Sequence, residues 1–131
     1  MLPAVLCLAL FWPFGGGKKV HMIAASEVPA AHGVIHVTTS HNGNTELDIK
    51  TRALAKPAAL TPPEEVYVVW LQPSGEAPRN AGALKVDSKL NGELKTITPY
   101  KQFKVFITAE KYAQTQQPIG PTVLHAQVSA G

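Results

Sequence analysis

The chain has 131 residues, enough for one domain, of which 45% are hydrophobic and 16% are charged. Its 11 prolines and 10 glycines show no periodicity, which favours a turn-rich, all-β fold over a disordered chain. The formal net charge is +3, but Lys18 and Lys19 supply two of the positive charges. Because the remaining lysines are scattered singly, we expect solvated strand faces and no nucleic-acid surface.

Residues 1–26 differ in composition from the rest of the chain. The first fourteen, MLPAVLCLALFWPF, are apolar, and GGGKK follows them. An apolar stretch of this length is shorter than the roughly 20 residues of a membrane span, and it matches the hydrophobic part of a signal peptide. Three interpretations remain open: an atypical signal sequence, a truncated membrane anchor, or a core segment.

The first two interpretations place the remaining residues outside the cytoplasm, in the periplasm, secreted, or held at a membrane through residues 1–14. Ala24-Ala25-Ser26 resembles the small-residue site at which a leader is cleaved. The single cysteine, Cys7, lies in the apolar segment, so the body of the chain has no disulfide framework. We therefore predict a leader or truncated anchor over residues 1–26 and one domain over residues 27–131.

From residue 32 onward, apolar and polar residues alternate with a period of two, which predicts half-buried β-strands. The first strand is GVIHVTTS (33–40), and TELDIKTRAL (45–54) follows. Asn42-Gly43 between them is a strong hairpin signal, because both central residues of such a turn must tolerate positive φ. VYVVWLQ (66–72) is apolar on both faces and is predicted as the central strand.

Four further strands follow with turns between them, and no stretch has a helical period. Asn91-Gly92 marks one of these turns. Seven or eight strands at this spacing predict an antiparallel, immunoglobulin-like β-sandwich. The four strands are AGALKVD (81–87), ELKTITP (93–99), QFKVFITAE (102–110) and PTVLHAQV (121–128).

Sequence motifs of a catalytic site are absent: there is no nucleophile elbow, phosphate-binding loop or metalloprotease helix. The adjacent carboxylates Glu64 and Glu65 follow Pro62-Pro63, which is typical of a polar loop edge. Ser74-Gly75 lies in a predicted turn and does not join a strand to a helix. We therefore expect neither enzyme activity nor a cofactor.

A secreted domain that binds a small ligand is the alternative. A copper site would require His36, His41 and His125 to approach one another from different strands.

Trp70 lies in the most apolar predicted strand, so we expect it to fill the core. A carbohydrate-stacking platform would instead use exposed aromatic side chains, and the candidates are Tyr67, Trp70, Tyr100, Phe106 and Tyr112.

Three stretches carry a resemblance to a known family. TELDIKTRAL is similar to a strand of that family, and VYVVWLQPSGEAPRNAGAL matches its Tyr-x-x-Trp-Leu strand, glycine-centred turn and Ala-Gly-x-Leu strand. VFITAEKYAQTQQPIGPTVL is similar to its ending, which contains Pro-x-Gly-Pro-x-Val-Leu-like residues. In this order they resemble the extracytoplasmic C-terminal domain of the anti-sigma-K factor family. The sigma-binding helical domain that precedes this domain in the family is absent from the sequence.

The resemblance implies a non-catalytic, extracytoplasmic sensor or interaction domain in a family that regulates sigma factor activity. Its partner is expected to be a protein at the membrane or in the periplasm. The resemblance also implies that KYAQTQQPIG (111–120) connects the last two strands. We expect this connection to contact the partner, through Tyr112, Gln114, Gln116, Gln117 and Ile119.

Overall fold

A computed structural model describes residues 17–130, and these residues form an all-β, antiparallel structure. The apolar residues 1–14, including Cys7, lie outside the described residues. Between 17 and 130 the only helical element is one 3₁₀ turn at Pro57–Ala59, and no helix there has the length and hydropathy needed to cross a membrane. The strands are β1 (Lys18–His21), β2 (Ile23–Ala24), β3 (His32–Thr39), β4 (Thr45–Arg52), β5 (Val66–Pro73), β6 (Arg79–Val86), β7 (Gly92–Thr98), β8 (Gln102–Glu110) and β9 (Thr122–Ser129).

The nine strands form one continuous sheet, in the order β1-β3-β4-β7-β6-β5-β8-β9-β2, which is rolled nearly to closure. β6 turns from one half of the sheet to the other: it pairs with β5 as far as Leu84 and with β7 from Lys85 onward. We call β1, β3, β4, β7 and the end of β6 the first half-sheet. The second half-sheet contains the start of β6 with β5, β8, β9 and β2. The all-β antiparallel prediction is confirmed, but the count is nine strands among the described residues, which differs from the predicted seven or eight.

The segment from Lys18 to Ala24 joins the two half-sheets on the side opposite β6. β1 pairs with β3, and β2 pairs with β9. Between these strands, Met22 donates its backbone N–H to the carbonyl of Gly33 at 2.8 Å. The sheet therefore begins at Lys18, upstream of the predicted domain start at Glu27.

Residues 18–24 alternate between inward and outward positions. This alternation is too short, and too close to the preceding apolar stretch, to be recognised as a strand in the sequence. Val20, Met22 and Ala24 pack against the core, and the residues between them are exposed. Seven residues are too few to distinguish a strand from the end of a leader by periodicity. The leader or anchor interpretation of the residues before Gly17 stays a prediction.

The main core lies between the two half-sheets and is built from inward-facing side chains at alternate strand positions. Tyr67, Val69 and Leu71 of β5 face this core, while Val68 and Trp70 of the same strand are buried on the outer face. The prediction that VYVVWLQ is buried on both faces is confirmed. Other large members of the main core are Ile35, Leu47, Ile49, Leu84, Phe103, Ile107 and Leu124.

The turns follow the sequence signals only in part. The Asn42-Gly43 hairpin is present between β3 and β4, but only Gly43 has a positive φ, of 83°. At the second turn, Leu90 is the left-handed residue, with φ of 64°, and Gly92 already belongs to β7. Gly92 is needed for packing, because a Cβ there would lie 2.7 Å from Oγ1 of Thr51. The predicted turn at Asn91-Gly92 is therefore displaced toward Leu90.

The aspartate before this second turn holds its backbone in place. The carboxylate of Asp87 accepts hydrogen bonds from the backbone N–H groups of Lys89 and Asn91, both at 2.9 Å. These bonds, chiefly the one from Asn91, lower the pKa of Asp87. The hydrogen bonds of this turn therefore favour the ionised form of Asp87.

Tyr67 generates a prediction about alkaline stability. Its hydroxyl donates to the carbonyl of Ala55 at 2.5 Å, and burial raises the pKa of Tyr67 from 10.0 to about 12. Because folding favours the neutral phenol, this contribution is fully present below pH 10 and is lost as the pH rises through about 12. Two pKa units correspond to about 2–3 kcal/mol. We expect Tyr67→Phe to reduce the decline in the free energy of unfolding between these pH values, measured by urea denaturation.

Tyr112→Phe is the matched control, because Tyr112 is 72% exposed. It should leave the alkaline decline of the original chain unchanged. An equal decline in Tyr67→Phe and in the original chain would contradict the assignment to Tyr67.

Candidate interaction site

The connection between β8 and β9, residues 111–120, lies across the outer face of the second half-sheet. The C-terminal end of this connection is held by Glu110, the last residue of β8, which is buried at 3% exposure. Oε2 of Glu110 accepts hydrogen bonds from the backbone N–H groups of Ile119 at 3.0 Å and Gly120 at 3.1 Å. A carboxylate is therefore buried beneath the loop and stabilised by hydrogen bonds from the loop's own amides.

The near part of the connection is held by Asn80 of β6. Its Nδ2 donates to the carbonyl oxygens of Ala113 and Thr115, each at 2.9 Å. Its Oδ1 accepts from the backbone N–H of Gly82 at 2.8 Å, which fixes the orientation of the amide. We call residues 111–120 the anchored loop, since hydrogen bonds attach it to both β6 and β8.

β5 lies between β6 and β8, so the anchored loop crosses β5. On this face, Val68, Trp70 and Phe106 form a small hydrophobic cluster that is separate from the main core. The ring centroids of Trp70 and Phe106 are 6.4 Å apart, and the rings are stacked. Trp70 is fully buried, as predicted, but the crossing loop buries it on the outside of the sheet and the main core does not contain it.

A chain of hydrogen bonds joins this cluster to the loop. Nε1–H of Trp70 donates to Oγ1 of Thr108 at 2.8 Å, and the Thr108 hydroxyl donates to Oε2 of Glu110 at 2.6 Å. Trp70 pairs with Phe106 in the register of β5 and β8, so Thr108 is its diagonal neighbour on the same face. The indole N–H of Trp70 is thus satisfied by Thr108, and the hydroxyl of Thr108 is satisfied by Glu110.

Gly120 allows the end of the loop to approach β8 closely. A Cβ at this position would lie 1.7 Å from the carbonyl oxygen of Ala109, a distance that no side chain tolerates. Immediately after it, the carbonyl of Pro121 accepts the backbone N–H of Ala109 at 3.0 Å. Gly120 is therefore required by the packing of the loop against β8.

The anchored loop contains the two most exposed large hydrophobic side chains of the described residues. Ile119 is 83% exposed and Tyr112 is 72% exposed. Both line a cavity of about 310 Å³, together with Thr115 and Pro121. The predicted contact residues Gln114, Gln116 and Gln117 are exposed along the same loop but do not line this cavity.

An ion pair forms one wall of the cavity. Nζ of Lys111 lies 3.4 Å from Oε1 of Glu64, whose side chain is 11% exposed. The adjacent Glu65 is exposed and contributes its backbone N–H to the carbonyl of Glu110 at 3.0 Å. Glu64 therefore supports the loop edge through its carboxylate, whereas Glu65 does so only through its backbone N–H.

The structure does not bring the other candidate residues together. His36 lies on β3, His41 in the turn after it, and His125 on β9 of the other half-sheet. Across residues 17–130, no group of three or more histidine, cysteine, aspartate or glutamate side chains is arranged to hold a metal ion.

The aromatic candidates do not form one exposed platform either. Tyr67 and Trp70 are completely buried, and Phe106 is 6% exposed. Tyr100 is half-buried against Phe103, with their ring centroids 6.5 Å apart. Tyr112 alone among them is well exposed, and it belongs to the anchored loop.

Sequence reasoning missed Glu110, Thr108 and Asn80. Thr108 and Glu110 are two apart at the end of a strand, so they share a face with Phe106, which was a usable signal. Asn80 gave no signal, because its partners are backbone carbonyls more than thirty residues later in the chain.

Comparisons with protein-family models, with curated proteins and with solved structures found no match to this chain.

Glu110 generates a prediction about the loop. Glu110→Ala removes the acceptor of three hydrogen bonds in a buried site, so we expect the free energy of unfolding to fall by about 2–4 kcal/mol. Glu110→Gln keeps one carbonyl oxygen as an acceptor, and its loss should be about 1–2 kcal/mol. Urea denaturation measures both values, and tryptic cleavage after Lys111 reports release of the loop.

Glu65→Ala is the control, because its exposed side chain makes none of these bonds. It should change stability by less than about 0.5 kcal/mol and leave cleavage at Lys111 unchanged. Equal behaviour of the variants at positions 110 and 65 would contradict the role given to Glu110.

Proposed function

We propose that this chain is a non-catalytic interaction domain, which binds a protein partner through the anchored loop. The observation that carries the proposal is the exposure of Tyr112 and Ile119 on a backbone that is attached at both ends. Apolar side chains in a fixed frame lose little conformational entropy when a partner covers them. Aromatic side chains are also enriched among the residues that dominate binding energy at protein interfaces.

The surroundings of Tyr112 and Ile119 suit the rim of such an interface. Gln114, Gln116 and Gln117 offer amide donors and acceptors around the apolar pair. A polar rim around an apolar centre is the usual arrangement of protein–protein contacts. The 310 Å³ cavity between Tyr112 and Ile119 is large enough for one apolar side chain of the partner.

The regulatory role follows from the resemblance to the extracytoplasmic domain of anti-sigma-K factors. We propose that the chain acts in regulation of sigma factor activity, from outside the cytoplasm, by binding a membrane or periplasmic protein. The position of residues 111–120 between β8 and β9 agrees with what that resemblance implies for this connection. The same proposal holds that the two half-sheets correspond to the layers of an immunoglobulin-like sandwich, which the turn of β6 from one half to the other supports.

Site-specific photo-crosslinking tests the proposed contact. A benzophenone amino acid replaces Tyr112 in the full chain, expressed in cells that naturally contain it. We expect one discrete protein adduct from the membrane or periplasmic fraction, and we expect Ile119→Asp in the same chain to abolish it. Ile119 is exposed, so this change should leave the thermal unfolding of the domain intact.

The matched control places the same crosslinker at Ile97, which is 54% exposed on β7 of the first half-sheet. No adduct is expected there. An identical adduct from position 97, or a Tyr112 adduct that persists with Ile119→Asp, would overturn the proposed surface. Failure of Tyr112→Ala and Gln116→Ala to weaken partner binding would do the same.

The proposed location has its own test, the intact mass of the protein in separate cell fractions. We expect recovery from the membrane or the soluble extracytoplasmic fraction, in a form that retains Lys18. Cleavage near Ser26 would remove β1 and β2, which join the two half-sheets. Recovery from the cytoplasm alone would contradict an extracytoplasmic role.

A further inference from the structure

A second surface lies on the first half-sheet, away from the anchored loop. An open groove of about 690 Å³ follows the outer face of β1, β3, β4 and the ends of β6 and β7. We call it the basic groove, because four cationic side chains line it, all of them exposed. They are Lys19, Lys50, Arg52 and Lys85.

The register of the sheet places two of these cations in one row across the strands. Lys50 of β4 lies opposite Glu93 of β7, and Glu93 lies opposite Lys85 of β6. Residues directly opposite each other on one face of a sheet have Cβ atoms about 4.5–5.5 Å apart. The Cβ atoms of Lys50 and Lys85 are therefore about 10 Å apart, and the side chain of Glu93 lies between them.

The same register adds histidines beside the other two cations. Arg52 lies opposite His32, and Lys19 lies opposite His36. His21 of β1 is a further member of the groove wall. A neutral imidazole offers one ring N–H as a donor, so each histidine adds a hydrogen-bond donor to the cationic surface.

The groove cations have no carboxylate partners among the described residues. Within residues 17–130, the ion pairs with N···O of 4.0 Å or less are Arg79–Glu76 and Lys111–Glu64, and both lie elsewhere. Of the two carboxylates in the groove, Asp87 is engaged by backbone amides of its own turn. Asp87 and Glu93 together offset two of the four positive charges, so the groove carries an excess of two cations.

From this arrangement we infer that the basic groove binds a small, multiply charged anion carrying phosphate or sulfate groups. Unpaired cations held at fixed spacing along a concave face raise the local positive potential, and an anion with several charges offsets more than one of them. Arg52 can bind a tetrahedral oxyanion through two parallel N–H groups, while the lysines act as point charges. The groove volume lies within the range of small-ligand sites.

The experiment is calorimetric titration of the full chain with sodium tripolyphosphate and, separately, with sucrose octasulfate. Both titrations are made at about 50 mM salt, where screening is weak. We expect saturable, one-site binding of at least one anion, and the tighter of the two identifies phosphate or sulfate as the preferred group. Each of Lys50→Gln and Arg52→Gln should weaken it about tenfold.

Lys104→Gln is the matched control, because Lys104 is also an exposed lysine and lies on β8 of the second half-sheet. It should change the affinity by less than about threefold. Tyr112→Ala should leave anion binding unchanged, which separates this inference from the proposed role of the anchored loop.

Three results would overturn the inference. The first is the absence of saturable binding for both anions. The second is an equal loss of affinity in Lys104→Gln and in the groove variants, which would indicate a general effect of net charge. The third is binding of poly-glutamate in preference to both oxyanions, which would indicate an acidic protein segment as the occupant.

Discussion

The outer layer of this domain depends on one carboxylate oxygen, Oε2 of Glu110, which accepts hydrogen bonds from Thr108, Ile119 and Gly120. A buried carboxylate is costly unless hydrogen bonds replace the water that it loses. Two of its three donors are backbone amides at the end of the anchored loop, so the set is complete only when the loop lies on the sheet. The loop position and the burial of Glu110 therefore depend on each other, and Trp70 is covered as a consequence.

The two half-sheets present different outer faces. On the second half-sheet, Val68, Trp70 and Phe106 are apolar and need a cover, which the anchored loop provides. On the first half-sheet, most of the side chains that line the groove are charged or imidazole groups, and this face stays open to solvent as the basic groove. One domain thus offers an apolar contact on a fixed loop and, on a separate surface, a cationic groove. The two surfaces suit different chemistries, and because they lie on different half-sheets, we expect single substitutions to remove either one alone.

Particular elements show where sequence reasoning succeeded. The alternation in 45–52 and 102–110 predicted strands that the structure contains as β4 and β8, because burial of one face imposes a period of two. Asn42-Gly43 predicted its hairpin for a local reason, the positive φ of Gly43. The second turn was misplaced, since Leu90 adopts the left-handed conformation and Gly92 is required by contact with Thr51 from another strand. A glycine that serves packing looks the same in sequence as one that serves a turn.

The sequence by itself determined the all-β antiparallel class, the double burial of VYVVWLQ and the place of residues 111–120 between two strands. The fold class and the double burial follow from local periodicity and from the conformations of glycine and proline, whereas the place of residues 111–120 is what the family resemblance implied. Only the tertiary structure decided that the chain from Lys18 joins the half-sheets, that Asn80 and Glu110 hold the loop, and that Lys19, Lys50, Arg52 and Lys85 share one groove. Each of these depends on residues far apart in the chain, whose contacts are set by strand order and register, and neither is encoded in a local pattern.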